Sequence, residues 1–442
     1  MFLAIDIGGT YLKIGHCDVG TGTIKNVTRR GGVEPLIGLD GKAELDPVEL
    51  LAKVRLAVRE IVAGGEVVDG VLLTGQMHSW VLTNVRGTPV SPIVTWRDTY
   101  NDLADNSEES EDLLTSVSEC LGNHLIESSG NELRHGIPAV SLFARTRGGL
   151  STQGRTLHTL TSFVANQLAG QSNNCLIHLT DAAALGLVAV EHGNWNREII
   201  YRLGLQQLSL PTIVDELTEV GRMPEFGIPV YVAIGDQQSA LLGFKLRRSE
   251  ISLNIATGSQ ISRIVDSPLA NCQTRPYFRN QLLATFTHIP AGRALNTIIG
   301  GFARFSGMDD KDAWSKVLYR INEIQSPQKL SVVPTFFQSP HGSAGTISGL
   351  TESNFNAEEI FLSAIEWIIK TYSQCVEKLD PDRSIRSIAV TGGLGTRIPY
   401  FRRRLTETFS NREVRFFDGD DASLSGLAIL AYEYQIGSQK KK

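Results

Sequence analysis

The sequence predicts an α/β protein of two domains, and three observations carry that prediction. The chain has 442 residues, which is more than a single hydrophobic core usually fills. Short apolar runs that end in glycine turns alternate with longer stretches of helical periodicity. Two of these runs, residues 70–76 and 387–393, follow predicted helices and share a Thr-Gly ending. We therefore expect two related halves, 1–226 and 227–442, joined near residues 221–227, with a ligand in the cleft between them.

Composition and charge narrow the class of protein without fixing its function. Apolar residues make up 42 % of the chain, charged residues 20 %, and the formal net charge is −5. These values are ordinary for a globular protein and disfavour nucleic acid as the main partner. The five cysteines are scattered without a CxxC pair, which favours reduced thiols over disulfides or a zinc site. No apolar stretch approaches the roughly 18 residues of a membrane span, so we expect a cytoplasmic protein.

The predicted helices and strands follow from apolar periodicity and from the residues that flank each run. Asp46 and Pro47 are typical of a helix start, because aspartate caps free N–H groups and proline suits the first turn. The middle region, 101–210, is predicted to be mainly helical, and its acidic stretch 108–112 is interpreted as a solvated helix face. The predicted elements, in chain order, are strands Phe2–Ile7, Tyr11–Cys17 and Thr23–Thr28, helix Val48–Val62, strands Val67–Thr74, Val230–Ile234 and Ile251–Ala256, helix Glu358–Cys375 and strand Ser387–Val390.

A glycine turn, Gly8-Gly9-Thr10, follows the first predicted strand, which carries Asp6. Glycines expose backbone N–H groups that can cradle phosphate oxygens, and a carboxylate at a strand end can hold Mg²⁺. The alternative is a plain hairpin turn with a buried aspartate. Burial of a carboxylate in an apolar strand is costly unless the group is paired or used, which favours the phosphate and metal interpretation.

Asp236 ends an apolar strand and is followed by small and polar residues that open a predicted helix. A carboxylate at this point projects into the crevice at the end of the strand, beside a helix N-terminus that favours anions. Transfer of a phosphoryl group to an alcohol requires such a carboxylate beside the attacking hydroxyl. The alternative is that Asp236 only caps the following helix.

Two polar segments of the first half have the chemistry that holds a polyhydroxylated chain. Gln76, Met77 and His78 follow one predicted strand, and Trp96 and Asp98 lie downstream. Together they supply hydrogen-bond donors, acceptors and a flat apolar face. Taken singly, the histidine and the tryptophan would each be assigned to the core.

Glycine turns also follow two predicted strands of the second half, at Thr257-Gly258 and at Gly392-Gly393. Such turns can approach the phosphates of a nucleotide, although glycine pairs more often merely turn the chain. The sequence has no GxxxxGK[ST] loop and no GxGxxG fingerprint at a strand–helix junction. The nucleotide sites that those two motifs build are therefore excluded.

These segments, in this order, resemble the FGGY carbohydrate kinases, which belong to the actin–hexokinase–Hsp70 superfamily. Within the family the sequence is most similar to the sedoheptulokinases, through GQMH followed by IVTWRD, through LNIATGSQIS, and through residues 274–296. The matching stretches are AIDIGGTYLKIG at Ala4, TGQMHSWVL at Thr74, TWRD at Thr95, LTDAAALG at Leu179, IGDQQSALLG at Ile234, NIATGSQIS at Asn254 and VTGGLGTRIP at Val390.

The resemblance implies two ribonuclease-H-like domains flanking a cleft, with sugar bound by the N-terminal domain and ATP by the C-terminal one. It implies ATP and Mg²⁺ as cofactors, a small-molecule sugar as partner, no nucleic acid or membrane, and a homodimer as an open alternative. The implied reaction is phosphorylation of the terminal hydroxyl of a ketose, first of all sedoheptulose. The resemblance assigns Asp236 as the general base, Asp6 to the metal, Gln76, Met77, His78, Trp96 and Asp98 to the sugar, and Gly8, Gly9, Thr10, Lys13, Thr257, Gly258, Gly392 and Gly393 to the nucleotide.

Three departures from the family pattern bear on the substrate and on activity. The usual W-x-D-x-R segment ends in Tyr100, the glycine usual after QMH is Ser79, and Arg293 stands where sedoheptulokinases have LNGGNVLA. Xylulose, ribulose and glycerol-like acceptors therefore stay open. A kinase-like sensor without turnover is favoured by the missing arginine and disfavoured by the retained Asp6 and Asp236. An Hsp70-like or actin-like ATPase has no use for the QMH and WRD segments.

Overall fold

The computed structural model describes residues 1–101, 113–171, 174–321, 324, 330–337, 339–417, 419 and 421–440. The acidic stretch 108–112 lies outside the described residues, so its interpretation as a helix face stays a prediction. The chain divides into two units, each more tightly packed within itself than against the other. Unit 1 comprises Met1–Lys245, Gln273–Leu282 and Asp421–Lys442, and unit 2 comprises Leu246–Cys272 and Leu283–Asp420.

Unit 1 combines a central sheet with smaller sheets and surrounding helices, numbered here in chain order across both units. Its strands are β1 (Phe2–Ile7), β2 (Tyr11–Asp18), β3 (Thr23–Gly31), β4 (Leu36–Ile37), β5 (Ala43–Leu45), β6 (Gly70–Gly75), β7 (Trp80–Thr83), β8 (Ile93–Val94), β9 (Thr156–Thr159), β10 (Leu176–His178), β11 (Val188–Ala189), β12 (Asn194–Trp195), β13 (Thr212–Val214), β14 (Glu219–Arg222), β15 (Pro229–Tyr231), β16 (Ile234–Gly235) and β19 (Gln273–Pro276). Its helices are α1 (Pro47–Ala63), α2 (Leu113–Ser128), α3 (Pro138–Arg147), α4 (Leu160–Leu168), α5 (Leu179–Ala182), α6 (Arg197–Arg202), α7 (Asp236–Gly243) and α13 (Ala422–Lys440).

Unit 2 repeats the strand–helix alternation on a smaller scale. Its strands are β17 (Glu250–Ile255), β18 (Ser259–Val265), β20 (Leu282–Ile289), β21 (Ser331–Val333), β22 (Thr346–Ser348), β23 (Ser387–Thr391) and β24 (Glu413–Phe416). Its helices are α8 (Gly292–Ser306), α9 (Asp310–Ile321), α10 (Ala357–Leu379), α11 (Gly393–Arg397) and α12 (Pro399–Thr408).

The central sheet of unit 1 has the strand order β14-β15-β6-β1-β2-β3, with β16 also paired to β6. β1 pairs antiparallel with β2 and parallel with β6, and all six residues of β1 are buried. The predicted opening meander is therefore confirmed, and so is the start of α1, where the Asp46 side chain accepts from two backbone N–H groups. A strand buried on both faces reads as the continuous apolar run seen in the sequence.

The predicted strand Val230–Ile234 is wrong as a single element, because it is divided between β15 and β16. Val230 pairs with Val71 of β6, and Ile234 pairs with Thr74. The five residues 230–234 therefore span only the four residues 71–74 of the neighbouring strand, which is the geometry of a bulge. At the bulge the Val232 N–H donates to the Thr218 carbonyl at 2.9 Å.

Strands β20-β18-β17-β23-β24 lie side by side in unit 2 in the same arrangement as β3-β2-β1-β6-β15 in unit 1. β17 pairs antiparallel with β18 and parallel with β23, as β1 does with β2 and β6. Asn254 lies opposite Thr391 in unit 2, and Asp6 lies opposite Thr74 in unit 1. The shared Thr-Gly ending thus marks equivalent strands, as the sequence predicted.

Two further expectations were only partly met. The middle region 101–210 contains the helices α2 to α6 in its described part, but it also contains the short strands β9 to β12, which were not predicted. Unit 1 extends past the expected boundary at residue 226, because α7 packs on the distant C-terminal helix α13, where the Ser239 hydroxyl donates to the Ser423 carbonyl at 2.7 Å. None of the described helices combines the length and apolarity that crossing a bilayer requires.

Candidate active site

Three parallel strands of unit 1 end side by side and bring the predicted polar residues together. Asp6 on β1 and Ile234 on β16 both lie opposite Thr74 of the strand between them, β6. The Thr74 hydroxyl donates to the Ile234 carbonyl at 2.8 Å and ties β6 to β16. Neighbouring strands lie about 4.8 Å apart, so β1, which carries Asp6, and β16, which Asp236 follows, are separated by roughly 10 Å. Residues 76–78 leave β6 between them.

Asp236 is the first residue of α7 and is partly exposed to solvent. Its Oδ1 accepts a hydrogen bond from the Gln237 N–H at 2.7 Å, while the N-cap position itself is Gly235. Burial, and after it the negative charges of Asp6 and Asp181, raise the pKa of Asp236 to about 7. No lysine or arginine of the described residues forms an ion pair with it. A group of this pKa, open to solvent on one side, is suited to accept a proton near neutral pH.

Asp6 is buried and held by two side chains. Its Oδ2 accepts from the Ser423 hydroxyl at 2.7 Å and lies 3.6 Å from Lys13 Nζ. Lys13 is its cross-strand partner on β2 and also approaches Asp421 Oδ1 at 4.0 Å. Burial raises the pKa of Asp6. The structure thus places Asp6 beside Lys13, which was among the predicted site residues. It also brings Ser423 and Asp421 from the far end of the chain to this place, and neither was predicted from the sequence.

The glycine turn after β1 presents an open backbone. The Gly8 N–H donates to the Tyr11 carbonyl at 3.0 Å, and a Cβ on Gly8 would lie 2.9 Å from that same oxygen. Gly9 and Thr10 are exposed, and a Cβ on Gly9 would lie 4.0 Å from Gln76 Oε1. Glycine is therefore required at position 8 by the turn itself, and the turn places the Gln76 amide beside Gly9.

Met77 packs close to β16, and His78 is held by a hydrogen bond to a different segment. The Met77 methyl group lies 3.2 Å from where a Cβ on Gly235 would be. His78 has a left-handed backbone (φ 57°), and its Nδ1 donates to the Ala184 carbonyl at 2.8 Å. A non-glycine residue in this conformation is held there by its surroundings and is enriched at functional sites.

Trp96 and Asp98 have different environments although they are two residues apart. The Trp96 side chain is exposed, which leaves its ring face available to a ligand. Asp98 is buried, and its Oδ2 accepts from Arg145 Nη2 at 2.5 Å and from the Ala43 N–H at 3.2 Å. The described contacts of the Asp98 side chain are therefore structural ones, and its predicted contact with sugar stays a prediction.

Arg145 of α3 is a site-supporting residue that the sequence motif did not reveal. Its guanidinium binds Glu44 Oε1 at 2.5 Å as well as Asp98, and it lies over the rings of Tyr100 at 5.3 Å and Trp80 at 6.0 Å. It supplies a guanidinium beside Asp98 in a chain whose W-x-D-x-R segment lacks the arginine. The sequence separation of 47 between Asp98 and Arg145 explains why no local pattern predicts the contact.

The two glycine turns of unit 2 that were predicted to bind a nucleotide lie next to each other, at the carboxyl ends of the neighbouring strands β17 and β23. Asn254 pairs with Thr391, so the turns that follow β17 and β23 are neighbours. Gly392 has a φ of 84°, and a Cβ there would lie 2.5 Å from the Ile255 carbonyl oxygen. No atom lies within 4 Å of the corresponding position on Gly258. The structure thus brings residues 257–258 and 392–393 together, with an open backbone at Gly258.

Asp181 is a third carboxylate of this region that was not assigned a role from the sequence. Its Oδ2 accepts from the hydroxyls of Thr159 and Thr161, at 2.5 and 2.8 Å, and burial raises its pKa to about 6. Its charge acts on Asp236. An aspartate inside the apolar stretch LTDAAALG was the available signal.

Comparison with known proteins identifies the class of protein that this fold and site define. The chain has the two-domain fold of the actin/hexokinase type, which it shares with the crystal structure of Plasmodium falciparum glycerol kinase with ADP. That likeness has a TM-score of 0.81 at 17 % identity and covers 98 % of this chain and 90 % of the other.

Residues 1–243 match the N-terminal domain of the FGGY family of carbohydrate kinases, and the chain belongs to this family. It is therefore a phosphotransferase with an alcohol group as acceptor. Xylulose kinase of Lactococcus lactis is 21 % identical over 395 residues, which are 84 % of this chain and 75 % of the relative. Human sedoheptulokinase is 23 % identical over 309 residues, which are 62 % of each chain.

Proposed function

We propose that the protein transfers the γ-phosphoryl group of ATP to the terminal hydroxyl of a ketose, with sedoheptulose as the first candidate. The observation that carries this proposal is Asp236, a partly exposed carboxylate at a strand end with a pKa of about 7. Relatives named as xylulose kinase and sedoheptulokinase support a ketose. A relative named as glycerol kinase keeps a polyol as the alternative.

The proposed chemical step assigns the proton to Asp236. The substrate hydroxyl oxygen attacks the γ-phosphorus, the new O–P bond forms, and the bond from phosphorus to the ADP oxygen breaks. The hydroxyl proton passes to the Asp236 carboxylate as the oxygen becomes bonded to phosphorus. The exposed Trp96 ring and the polar groups of residues 76–78 are proposed to hold the sugar in line for that transfer.

The residues of unit 1 fit a magnesium ion that is bound mainly by phosphate and water. Mg²⁺ commonly takes one or two protein carboxylates and completes its octahedron with phosphate oxygens and water. Asp6 is a strand-end carboxylate beside the glycine turn, and the described residues contain no group of three His, Cys, Asp or Glu that could hold a metal alone. Asp6 would hold the ion, which supplies charge neutralisation to the phosphates, and Lys13 fixes the carboxylate from 3.6 Å.

We further propose that ATP binds the backbone turns of unit 2. Gly258 exposes its backbone to open space, and the Thr257 carbonyl accepts from the Arg293 N–H at 2.9 Å, which fixes the turn on α8. Arg293, one of the departures from the family pattern, is exposed with its guanidinium 4.4 Å from the Phe337 ring centre. Backbone N–H groups beside a cation suit a polyphosphate.

The proposal is tested by ADP release with sedoheptulose, xylulose, ribulose, glycerol and erythritol as acceptors. We expect turnover with a ketose, and a fall in kcat of about 10²–10⁴-fold in Asp236→Asn with little change in KM. Asp40→Asn, which alters an exposed carboxylate paired with Lys42, is the matched control. Full turnover in Asp236→Asn would refute the base assignment. Sugar binding without ADP release by the wild type would favour the kinase-like sensor.

A further inference from the structure

Ser423, the second residue of α13, contacts both the strand that carries Asp6 and the helix that begins with Asp236. Its hydroxyl donates to Asp6 Oδ2 at 2.7 Å, and its carbonyl accepts from the Ser239 hydroxyl of α7 at 2.7 Å. These two serines and Asp6 belong to unit 1 and are buried. One serine therefore links the carboxylate proposed to hold the metal with the helix of the proposed base.

The backbone around Ser423 is packed closely against α7. A Cβ on Gly426, about one turn further along α13, would lie 1.9 Å from the Ser239 carbonyl oxygen and 2.7 Å from the Ser239 hydroxyl oxygen. A Cβ on Gly243 would lie 1.9 Å from the carbonyl oxygen of Ala422, the residue before the serine. Because close-packed interiors transmit displacements, the Ser423 hydroxyl cannot shift without moving α7.

The second contact of the Asp6 carboxylate has a different character. Lys13 Nζ lies 3.6 Å from Asp6 Oδ2 and 4.0 Å from Asp421 Oδ1, so one ammonium group is shared between two carboxylates. A lysine ammonium is a point charge at the end of a flexible chain, so it neutralises charge without fixing a direction. A hydroxyl donor on a packed helix does fix a direction, and its hydrogen bond to a carboxylate is charge-assisted.

The Asp6 carboxylate is thus held through one of its two oxygens, because both contacts are made to Oδ2. Mg²⁺ demands near-ideal octahedral geometry, so it tolerates little misplacement of a carboxylate that binds it. Carboxylates that bind metals are themselves held by hydrogen bonds, and loss of such an outer contact typically costs roughly 10–100-fold in metal affinity or activity. A fixed donor to Oδ2 meets this requirement.

We propose that Ser423 is a positioning residue for the metal site, whose hydroxyl holds the Asp6 carboxylate in the orientation that binds Mg²⁺. This proposal rests on the kinase function and on the metal role of Asp6 proposed above, and it adds a residue that lies in none of the matching sequence stretches. The alternative is that the hydroxyl only satisfies a buried carboxylate. In that case its loss would lower stability without changing the affinity for the metal.

The test measures metal affinity directly and needs no turnover. Mn²⁺, which takes the same oxygen ligands as Mg²⁺, is titrated into protein saturated with ADP, and free Mn²⁺ is followed by electron paramagnetic resonance against a blank of Mn²⁺ and ADP alone. Ser423→Ala removes the hydroxyl and keeps the backbone carbonyl that Ser239 binds. Ser425→Ala is the matched control, since that hydroxyl lies on the same helix and donates to the Asp421 carbonyl at 3.0 Å. Asp6→Asn measures how much of the affinity depends on Asp6.

We expect Ser423→Ala to weaken Mn²⁺ binding roughly 10–100-fold and to raise the Mg²⁺ concentration that gives half-maximal ADP release. Ser425→Ala should keep the wild-type affinity. If Ser423→Ala does not fold, Ser423→Cys, whose thiol is a weak donor, takes its place and should show the same loss in direction.

Two results overturn the proposal. One is a lower thermal midpoint in Ser423→Ala with an Mn²⁺ affinity equal to that of the wild type, which indicates a structural role only. The other is Asp6→Asn binding Mn²⁺ as tightly as the wild type. Weakened Mn²⁺ binding by Ser423→Ala, in a protein that releases no ADP with any acceptor, supports the role of Ser423 and contradicts the kinase function, which separates the two failures.

Discussion

The carboxylate of Asp236 combines partial exposure with a pKa well above the ordinary value of aspartate. Its shift has a local cause, burial at the start of α7, and a longer-range cause, the negative charges of Asp6 and Asp181. Arg275 opposes the shift and favours the ionised form. These opposing effects keep the pKa of Asp236 close to neutral pH, where the ionised and the protonated forms are both populated. General bases are most effective in that range.

A pH profile tests this balance. Only the ionised form of Asp236 can accept a proton, so kcat/KM should rise with pH through about 7 and level off above it. The measurement is kcat/KM for the best acceptor between pH 5 and 9, with coupling enzymes in excess. Asp40→Asn should retain the profile, and Asp236→Asn should lose the rising limb. A limb centred near pH 4, or a limb that persists in Asp236→Asn, contradicts the assignment.

The loop that carries Trp96 depends on a contact between separate elements. It follows β8, and its Asp98 carboxylate is bound by Arg145 of α3, which also binds Glu44 of β5. Tyr100 lies under the same guanidinium. One partly buried cation therefore joins α3, β5 and the loop.

Arg145→Met should destabilise the protein by about 3–5 kcal/mol, because it leaves the buried Asp98 carboxylate without its counter-charge. It should also raise KM for the acceptor more than it lowers kcat, since Trp96 is held through this loop. Arg202→Met, which removes an exposed (i, i+4) pair with Glu198 and a hydrogen bond to the Cys120 carbonyl, should cost only about 1 kcal/mol. Denaturant unfolding and steady-state kinetics measure both effects. Equal losses in the free energy of unfolding of the two variants would show that the contact between Asp98 and Arg145 stabilises the protein no more than an exposed ion pair does.

The two ends of the chain meet within unit 1. Ser423 at the start of α13 donates to Asp6 across 417 residues of sequence. Helix α13 packs against α7 through glycines, because a Cβ on Gly426 would lie 1.9 Å from the Ser239 carbonyl oxygen, and one on Gly243 would lie 1.9 Å from the Ala422 carbonyl oxygen. The helix that begins with Asp236 is therefore positioned by the C-terminal segment.

Gly426→Ala should lower the thermal midpoint and the activity together, because the added methyl group forces α13 away from α7. Overpacking of this kind costs about 1–3 kcal/mol. Gly437→Ala on the same helix meets no atom within 4 Å, and it should raise stability by up to about 1 kcal/mol through helix propensity. Thermal unfolding and ADP release check both variants. An unchanged midpoint in Gly426→Ala would contradict the close packing of α7 and α13.

The sequence by itself determined the local elements and the positions of the motifs. The apolar run of β1, the Asp46 start of α1 and the Thr-Gly ends of β6 and β23 depend on neighbouring residues only, through periodicity, capping and turn geometry. Family membership followed from the order of those motifs and was confirmed by the match of residues 1–243.

Only the tertiary structure decided which side chains share a site and which are used for support. It tied Asp98 to Arg145, joined Ser423 to α7, and returned α13 to the first strand. These contacts join residues far apart in sequence, and their energies depend on burial and charge. Local pattern carries no information on either quantity, because burial and electrostatic surroundings exist only after the distant segments have packed together.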